Sequence, residues 1–452
     1  MINKILVANR GDIAVRIIRS CKEMGISTVA IYSEIDKDCL HRFIADESIC
    51  IGPNNLSKSY NNIENIIYLA KKLKCDAIHP GFGFLSENPE FAEECEANGI
   101  IFIGPSKDQM MLMGDKARAR ETMIELGVPV VPGSKSVLKT KEDAVRTASE
   151  IGYPVMIKAS AGGGGKGMRI VRKEEELGNL FDMAKSEALS AFGNGDLYME
   201  KFIENPRHIE VQVFGDKNGH AIHLGDRDCS MQRRNQKVIE ESPSPYLTKE
   251  EREKLYSTAI KIVEGTGYVG AGTIEFIVDK NKEFFFIEMN TRIQVEHPVT
   301  EMVTGKDLIK LQIQVANGEN IPFKQEDIHI NGHAIECRIN AEKPSMNFAP
   351  CPGMIDEINI PGGFGVRFDT FVYAGYVIPP LYDSMIGKLI CHADTREECI
   401  ARMNRALDEV IIEGIDTNIE FQKSLILSDE FRNDTHHTKY IEDEFLANNP
   451  SL

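Results

Sequence analysis

The ten cysteines include no Cys-x-x-Cys pair, which argues against a zinc cage or a redox motif and predicts reduced, mostly buried thiols. No apolar run approaches membrane-spanning length, and the opening Met1-Ile-Asn-Lys-Ile-Leu-Val-Ala-Asn-Arg10 lacks a signal-peptide layout. A cytoplasmic protein with no membrane partner is therefore expected. Basic residues are scarce relative to acidic ones: 52 Lys and Arg against 69 Asp and Glu leave a net charge of −17. That balance argues against a broad nucleic-acid footprint and still allows small anions to be bound locally. The first turn, Asn9-Arg-Gly-Asp12, lacks the G-x-G-x-x-G of a dinucleotide site, so no NAD is expected there. Internal repeats and low-complexity tracts are absent.

What is present is an ordinary globular composition, 42% hydrophobic and 27% charged over 452 residues, enough for two or three domains. Lys4 to Ala8, Ile13 to Met24 and Thr28 to Tyr32 read as a βαβ opening, and Ile63 to Leu73 with Ala77 to His79 as a further αβ unit. The turn that follows, Pro80-Gly-Phe82-Gly83-Phe-Leu-Ser-Glu87, is either a plain tight turn or a place where backbone approaches a ligand closely. Gly114 to Leu126 looks helical, and Pro129 and Pro132 break it. The expected organisation is an α/β domain over 1–112, a linker over 113–132, a small unit over 133–202 and a larger mixed domain over 203–446, an α/β and α+β fold overall.

The small unit reads helix (Lys141 to Ile151), strand (Pro154 to Lys158), glycine-rich loop, strand (Met168 to Arg172), helix. Its loop, Gly162 to Gly167, contains Gly163, Gly164, Gly165 and Lys166. It joins two strands instead of opening a helix, and no Ser or Thr follows Lys166, so it is neither a dinucleotide fingerprint nor a P-loop. Two readings stay open: a flexible hairpin tip, or bare backbone N–H groups laid over phosphates. Lys116 and Lys158 could both reach beneath it. In the larger part, Arg227 to Lys237 is expected to be a polar loop carrying four cations.

Glu288-Met-Asn-Thr-Arg-Ile-Gln-Val-Glu-His-Pro298 puts Glu288, Asn290, Arg292, Gln294 and Glu296 at every second position. As an extended strand it would carry one polar face opposite Met289, Thr291, Ile293 and Val295. Phe284 and Phe286 precede it in the same phase, which predicts a cleft lining in place of a solvated edge strand. Gly272 to Val278 and Glu283 to Glu288 form a hairpin about Asp279 to Lys282, placing Glu275 and Glu288 on one face, roughly diagonal. The pair is either a surface couple or a seat for Mg²⁺ or Mn²⁺, hard ions that take carboxylate, water and phosphate oxygens.

Taken together, Lys116, Lys158, the glycine hairpin, Glu275, Glu288 and the alternating row resemble the ATP-grasp superfamily. Ala8-Asn-Arg-Gly-Asp-Ile-Ala14, His79 to Asn88, Asp228 to Lys237, Glu288 to Pro298 and Tyr382-Asp-Ser-Met-Ile-Gly-Lys388 narrow the resemblance to the biotin carboxylases, over nearly the whole chain. The resemblance implies an ATP-grasp fold whose lid, 133–202, closes on ATP. It also implies a ligase that uses ATP as co-substrate, Mg²⁺ or Mn²⁺, and bicarbonate to carboxylate biotin held on a separate protein, by way of carboxyphosphate. No Met-Lys-Met biotin-attachment sequence follows, so a free-standing subunit of acetyl-CoA carboxylase, supplying malonyl-CoA for fatty acid synthesis, is expected. Its implied partners are a biotin carboxyl carrier protein, carboxyltransferase subunits and a second copy of itself.

The site residues are implied in the same way. Glu275, Glu288 and Asn290 would hold the metal; Lys116, Lys158, Gly163, Gly164, Gly165, Lys166 and Met168 would meet ATP. Glu200, Lys201, Phe202 and Ile203 would hold adenine, with His208, Gln232 and Asn235 near the ribose. Lys237, Arg292, Gln294 and Val295 would hold bicarbonate, Glu296 would be its base, and Arg338 would stabilise the enolate-like oxygen of biotin beside Phe82 and Gly83. Because Glu296 shares the strand face of Arg292, it is expected to be held ionised by that guanidinium. Asn235 and Phe82 depart from the family's usual His and Tyr. The rival readings are other carboxylate-activating ligases of the superfamily, such as carbamoyl-phosphate or phosphoribosylglycinamide enzymes, and a silent ATP-binding subunit.

Overall fold

The computed structural model describes residues 1–134, 136–159 and 168–449. The chain opens with β1 (Lys4–Val7), α1 (Gly11–Glu23), β2 (Ser27–Tyr32), α2 (Leu40–Ile44), β3 (Glu47–Cys50), α3 (Ile63–Lys72), β4 (Ala77–His79), α4 (Pro89–Ala97) and β5 (Ile101–Phe102). All five strands are parallel, in the order β3-β2-β1-β4-β5. Ile5, Leu6, Val7, Val29, Ala30 and Ile31 are fully buried; such unbroken apolar runs need cover on both faces of a parallel sheet. The turns after β1 and β4, Asn9 to Asp12 and Pro80 to Glu87, lie side by side at the carboxyl ends of the strands, where α/β sheets bind ligands. Asn9 Nδ2 ties them by donating to the carbonyls of Pro80 (2.6 Å) and Phe82 (2.7 Å).

The expected linker is not a tether. It contributes the end of α5 (Lys107–Gly114) and α6 (Lys116–Glu125), and Met113, Ala119, Met123 and Val128 enter a core with Ile209, Val211, Ile274 and Phe276 of the large sheet. Asp115 starts α6 by accepting from the backbone N–H groups of Ala117 and Arg118, a cap that also fixes where Lys116 stands. The small unit folds as α7 (Lys141–Ile151), β6 (Val155–Ala159), β7 (Arg169–Val171), α8 (Glu174–Phe192) and β8 (Leu197–Lys201), with sheet order β7-β6-β8. It has a core of its own, in which Ala144, Ala148 and Leu177 of the helices meet Val155, Ile157 and Met199 of the strands. The glycine loop, with Gly163, Gly164, Gly165 and Lys166, lies outside the described residues.

The rest is built on one antiparallel sheet: β9 (Arg207–Gly215), β10 (Ala221–Arg233), β11 (Gln236–Ser242), β12 (Gly270–Val278), β13 (Phe284–Asn290), β14 (His333–Asn340), β15 (Val366–Thr370) and β16 (Met385–Ala393). Its order is β13-β12-β9-β10-β11-β14-β16-β15. Helices α9 (Lys249–Thr266), α10 (His297–Thr304), α11 (Leu308–Ala316) and α12 (Arg396–Glu409) pack against it.

Three expectations are corrected here. Arg227 to Lys237 is not a loop: β10 and β11 run through it, only Arg234 and Asn235 turn, and Arg227 is fully buried. Both turn residues have positive φ, +51° and +61°, the conformation of a two-residue hairpin whose twist matches its strands. Second, the alternating row is strand only as far as Asn290; Thr291 to Glu296 is irregular, and Glu296 is the N-cap of α10. Third, Glu275 and Glu288 are direct cross-strand partners, not diagonal ones, while Phe276 pairs with Phe286. One step on β12 thus spans two on β13, and Ile287 is the extra residue of a β-bulge. The bulge breaks the phase: Phe284 and Phe286 pack into the core, and Ile287 and Glu288 face the cleft.

Candidate active site

A cleft of about 1040 Å³ runs from the N-terminal turns across the large sheet. Fifteen of the expected residues line it: Phe82, Gly83, Lys116, His208, Gln232, Asn235, Lys237, Glu275, Glu288, Asn290, Arg292, Gln294, Val295, Glu296 and Arg338. Lys158, Met168, Glu200, Lys201, Phe202 and Ile203 do not line it. On the small unit, the Lys158 ammonium pairs with Glu200, and Lys201 donates to the carbonyls of Gly152 (2.8 Å) and Tyr153 (3.1 Å).

At the centre, Lys237 Nζ reaches Glu210 (2.6 Å), Glu296 (2.6 Å) and Glu275 (3.0 Å). Burial alone would lower its pKa, yet these carboxylates raise it well above the ordinary lysine value. Glu296 is wholly buried, and its second oxygen accepts from Arg338 at 3.0 Å. Burial opposes its ionisation, but Lys237, with help from Arg338 and Arg227, holds its pKa below the usual range. The expected partner, Arg292, is elsewhere: its Nε donates to Glu87 (2.9 Å), NH1 to Gln294 (2.9 Å) and NH2 to Asn290 (3.1 Å). The two residues share no strand face, because the strand has ended, and that removes the reason for pairing them.

His208 Nε2 lies 3.1 Å from Glu275 and 3.6 Å from Glu210. Burial pulls its pKa down, but Glu275 and Glu210 overcome that and raise it to about 9, so it is an imidazolium at neutral pH. Arg227, fully buried, donates to Glu210 (2.6 Å), Gln212 (2.8 Å) and Thr273 (3.0 Å) from behind. Glu210 was missed in the sequence although a signal exists: His208, Glu210 and Gln212 put polar groups at every second place of an otherwise apolar strand. Ile277, Ile287 and Thr438 also line the cleft without a signal in the sequence, as do Arg10, Asp12 and Tyr382, which lie in the motifs that carry the resemblance but had no expected role.

The donor chemistry of Glu275, Glu288 and Asn290 fits a hard divalent ion. Two carboxylates face each other across adjacent strands; one is buried, and the other is 37% exposed and pairs with Lys116 at 3.3 Å. Asn290 adds an amide, its Nδ2 already 2.9 Å from Glu275. The cleft brings oxygen donors and cations together beneath room for a nucleotide.

A nucleotide-sized cleft on an antiparallel sheet, in a chain that also carries a separate small α/β unit, defines an ATP-grasp protein. Residues 1–110 match the family description "Biotin carboxylase, N-terminal domain", 115–324 "Carbamoyl-phosphate synthase L chain, ATP binding domain", and 336–443 "Biotin carboxylase C-terminal domain". Biotin carboxylase 1 of Bacillus subtilis is 57% identical over 443 residues, 98% of either chain. A pyruvate carboxylase subunit of Methanothermobacter thermautotrophicus is 53% identical over 98% of this chain and 90% of its own. Among solved structures, the biotin carboxylase domain dimer of Hydrogenobacter thermophilus 2-oxoglutarate carboxylase, with MgADP, ADP and bicarbonate, superposes with a TM-score of 0.90 at 53% identity, over 99% of this chain and 98% of that one. The chain belongs to the biotin carboxylase family, ligases that use ATP to carboxylate biotin.

Proposed function

We propose that the chain is the biotin carboxylase subunit of a cytoplasmic acetyl-CoA carboxylase, acting as a homodimer on biotin attached to a separate carrier protein and handing carboxybiotin to carboxyltransferase subunits. Bicarbonate is a stable anion and biotin N1 a weak nucleophile, so bicarbonate is first activated by attack on the γ-phosphate of ATP. In this reading Arg292, Gln294, Lys237 and the Val295 backbone hold bicarbonate while Glu296 accepts its proton. Arg338 then faces the oxygen of biotin as N1 loses its proton to the released phosphate. Glu275, Glu288 and Asn290 would hold Mg²⁺ or Mn²⁺, which when bound neutralises phosphate charge. Lys116, Lys158 and the glycine loop, with Glu200 to Ile203 at the base, would complete the nucleotide site when the lid, 133–202, closes and excludes water.

The observation that carries this reading is Glu296, a fully buried carboxylate gripped by Lys237 and Arg338, positioned as a base and kept ionised. The test is ADP release from Mg-ATP. It should require bicarbonate and rise with free biotin; turnover that needs ammonia or an amine instead would point to the rival ligases, and none at all to a silent subunit. The 53% identity to the Methanothermobacter pyruvate carboxylase subunit supports a second acceptor, pyruvate. Capture of the biotinylated carrier, followed by assay with acetyl-CoA and with pyruvate, separates the two.

A further inference from the structure

Behind Arg338 lies a pair of acids that this chemistry does not use. Glu240 on β11 and Glu336 on β14 are direct cross-strand partners, and both are 0% exposed. Glu240 Oε1 accepts from Arg338 Nε at 2.6 Å, and Arg338 NH2 reaches Glu296 at 3.0 Å. Among the described residues, neither oxygen of Glu336 has a donor, nor does Glu240 Oε2. Three orphaned carboxylate oxygens on neighbouring buried residues are costly unless a proton supplies the missing donor. The cations around them are spoken for. Lys388, opposite Arg338 on β16, donates to the Val295 carbonyl (2.9 Å) and faces Asp12 (3.0 Å). Lys237 serves Glu210, Glu275 and Glu296. Asp369 on β15 pairs with Arg367. From α10, which covers this face, His297 presents an Nε2 without a partner, its pKa lowered by burial and by Lys388.

We propose that Glu240 and Glu336 share one proton and act together as a positioning unit for Arg338, Glu240 holding the guanidinium by its charge and Glu336 standing behind it as the neutral acid. Burial pushes Glu336 well above the carboxylate range and Glu240 up to about 7, the latter against the pull of Arg338; the two titrate as a pair. The arrangement leaves Arg338 one full counter-charge on each side. A second charge at Glu336 would draw it away from Glu296 and from the substrate.

Infrared difference spectroscopy of the full chain at neutral pH tests the shared proton. The wild type should show a protonated-carboxyl C=O band that shifts with ¹³C-glutamate labelling and is lost in Glu336→Gln. Labelling separates it from Asp434, raised to about 6 by burial. A wild type without a labelled band overturns the proposal, whether or not the variants fold. The kinetic arm rests on the role proposed above for Arg338, whereas the infrared arm does not. Glu240→Gln should lower kcat for biotin carboxylation roughly tenfold to a hundredfold while leaving KM for ATP within about twofold, since a misplaced group costs rate more than binding. A wild-type kcat overturns the positioning role, and equal losses in kcat, KM and Tm reduce it to a structural one.

Discussion

The floor of the cleft and the small unit over 133–202 are built in opposite ways. On the floor, Lys237 is 13% exposed and Glu296 1%, and each charge has its partners in place. On the small unit, the Lys158–Glu200 pair is 39% and 31% exposed, and neither side chain lines the cleft. The difference shows where preorganisation is needed. With the roles proposed for them, Glu296 as base and its neighbouring cations gain from being fixed before substrate arrives, whereas Lys158 and Glu200 as nucleotide-binding groups would have to leave an entrance open and could be assembled afterwards.

The strongest way to break this comparison is Glu296→Gln, nearly isosteric and uncharged. As the base, Glu296 should contribute about 10²- to 10⁴-fold to kcat, with Mg-ATP affinity measured by calorimetry unchanged. Near-normal carboxylation would remove it from the chemistry. Next comes stability. Lys237→Met strands buried carboxylates and should cost about 3–5 kcal/mol in urea unfolding, whereas Lys158→Met, in a partly exposed pair, should cost about 0–1 kcal/mol. Equal costs would mean that the two regions do not differ.

A smaller effect is set by His208. Its folded pKa, about 9, lies above the ordinary 6.5, so its stabilising contribution is complete below 6.5 and is lost as pH rises through 9. In metal-free protein the wild type should lose stability over that window and His208→Gln should not. Parallel curves would show that His208 is not the group titrating. The smallest effect is at the hairpin tip. Asn235 is exposed and φ-positive, and as a neutral hydrogen bond worth roughly 0.5–1.5 kcal/mol it should raise KM for ATP two- to tenfold in Asn235→Ala. An unchanged ATP constant makes it a turn residue only, while a selective bicarbonate defect makes it part of the floor.

How far the sequence could be read follows the same division. The buried strands of the N-terminal sheet announce themselves through continuous Ile, Leu and Val, and Ala77–His79 is strand to the residue. Pattern singled out Phe82, Gly83, Lys116, Glu275 and the row from Glu288 to Glu296, and resemblance added His208, Gln232, Asn235 and Arg338 and joined positions as distant as Phe82 and Arg338 in one site. Pattern failed where long-range pairing overrode it. Arg227 to Lys237 looks like a solvated loop because its charges are conspicuous, and nothing local reveals that Glu210 waits across the sheet to bury Arg227. Nor can alternation say where a strand stops, so Glu296 was given a partner, Arg292, that the helix start at His297 takes away.

The bulge at Ile287 changes the parity of this stretch. Phe286 and Glu288 are two positions apart and would share a face in any regular strand, yet one belongs to the core and the other to the cleft. Membership in the site is therefore written partly in a count and not only in an alphabet. Straightening the strand with Ile287 still in place would leave every carboxylate in the chain present, and would still force Phe286 and Glu288 onto one face, so that one of them lost its surroundings.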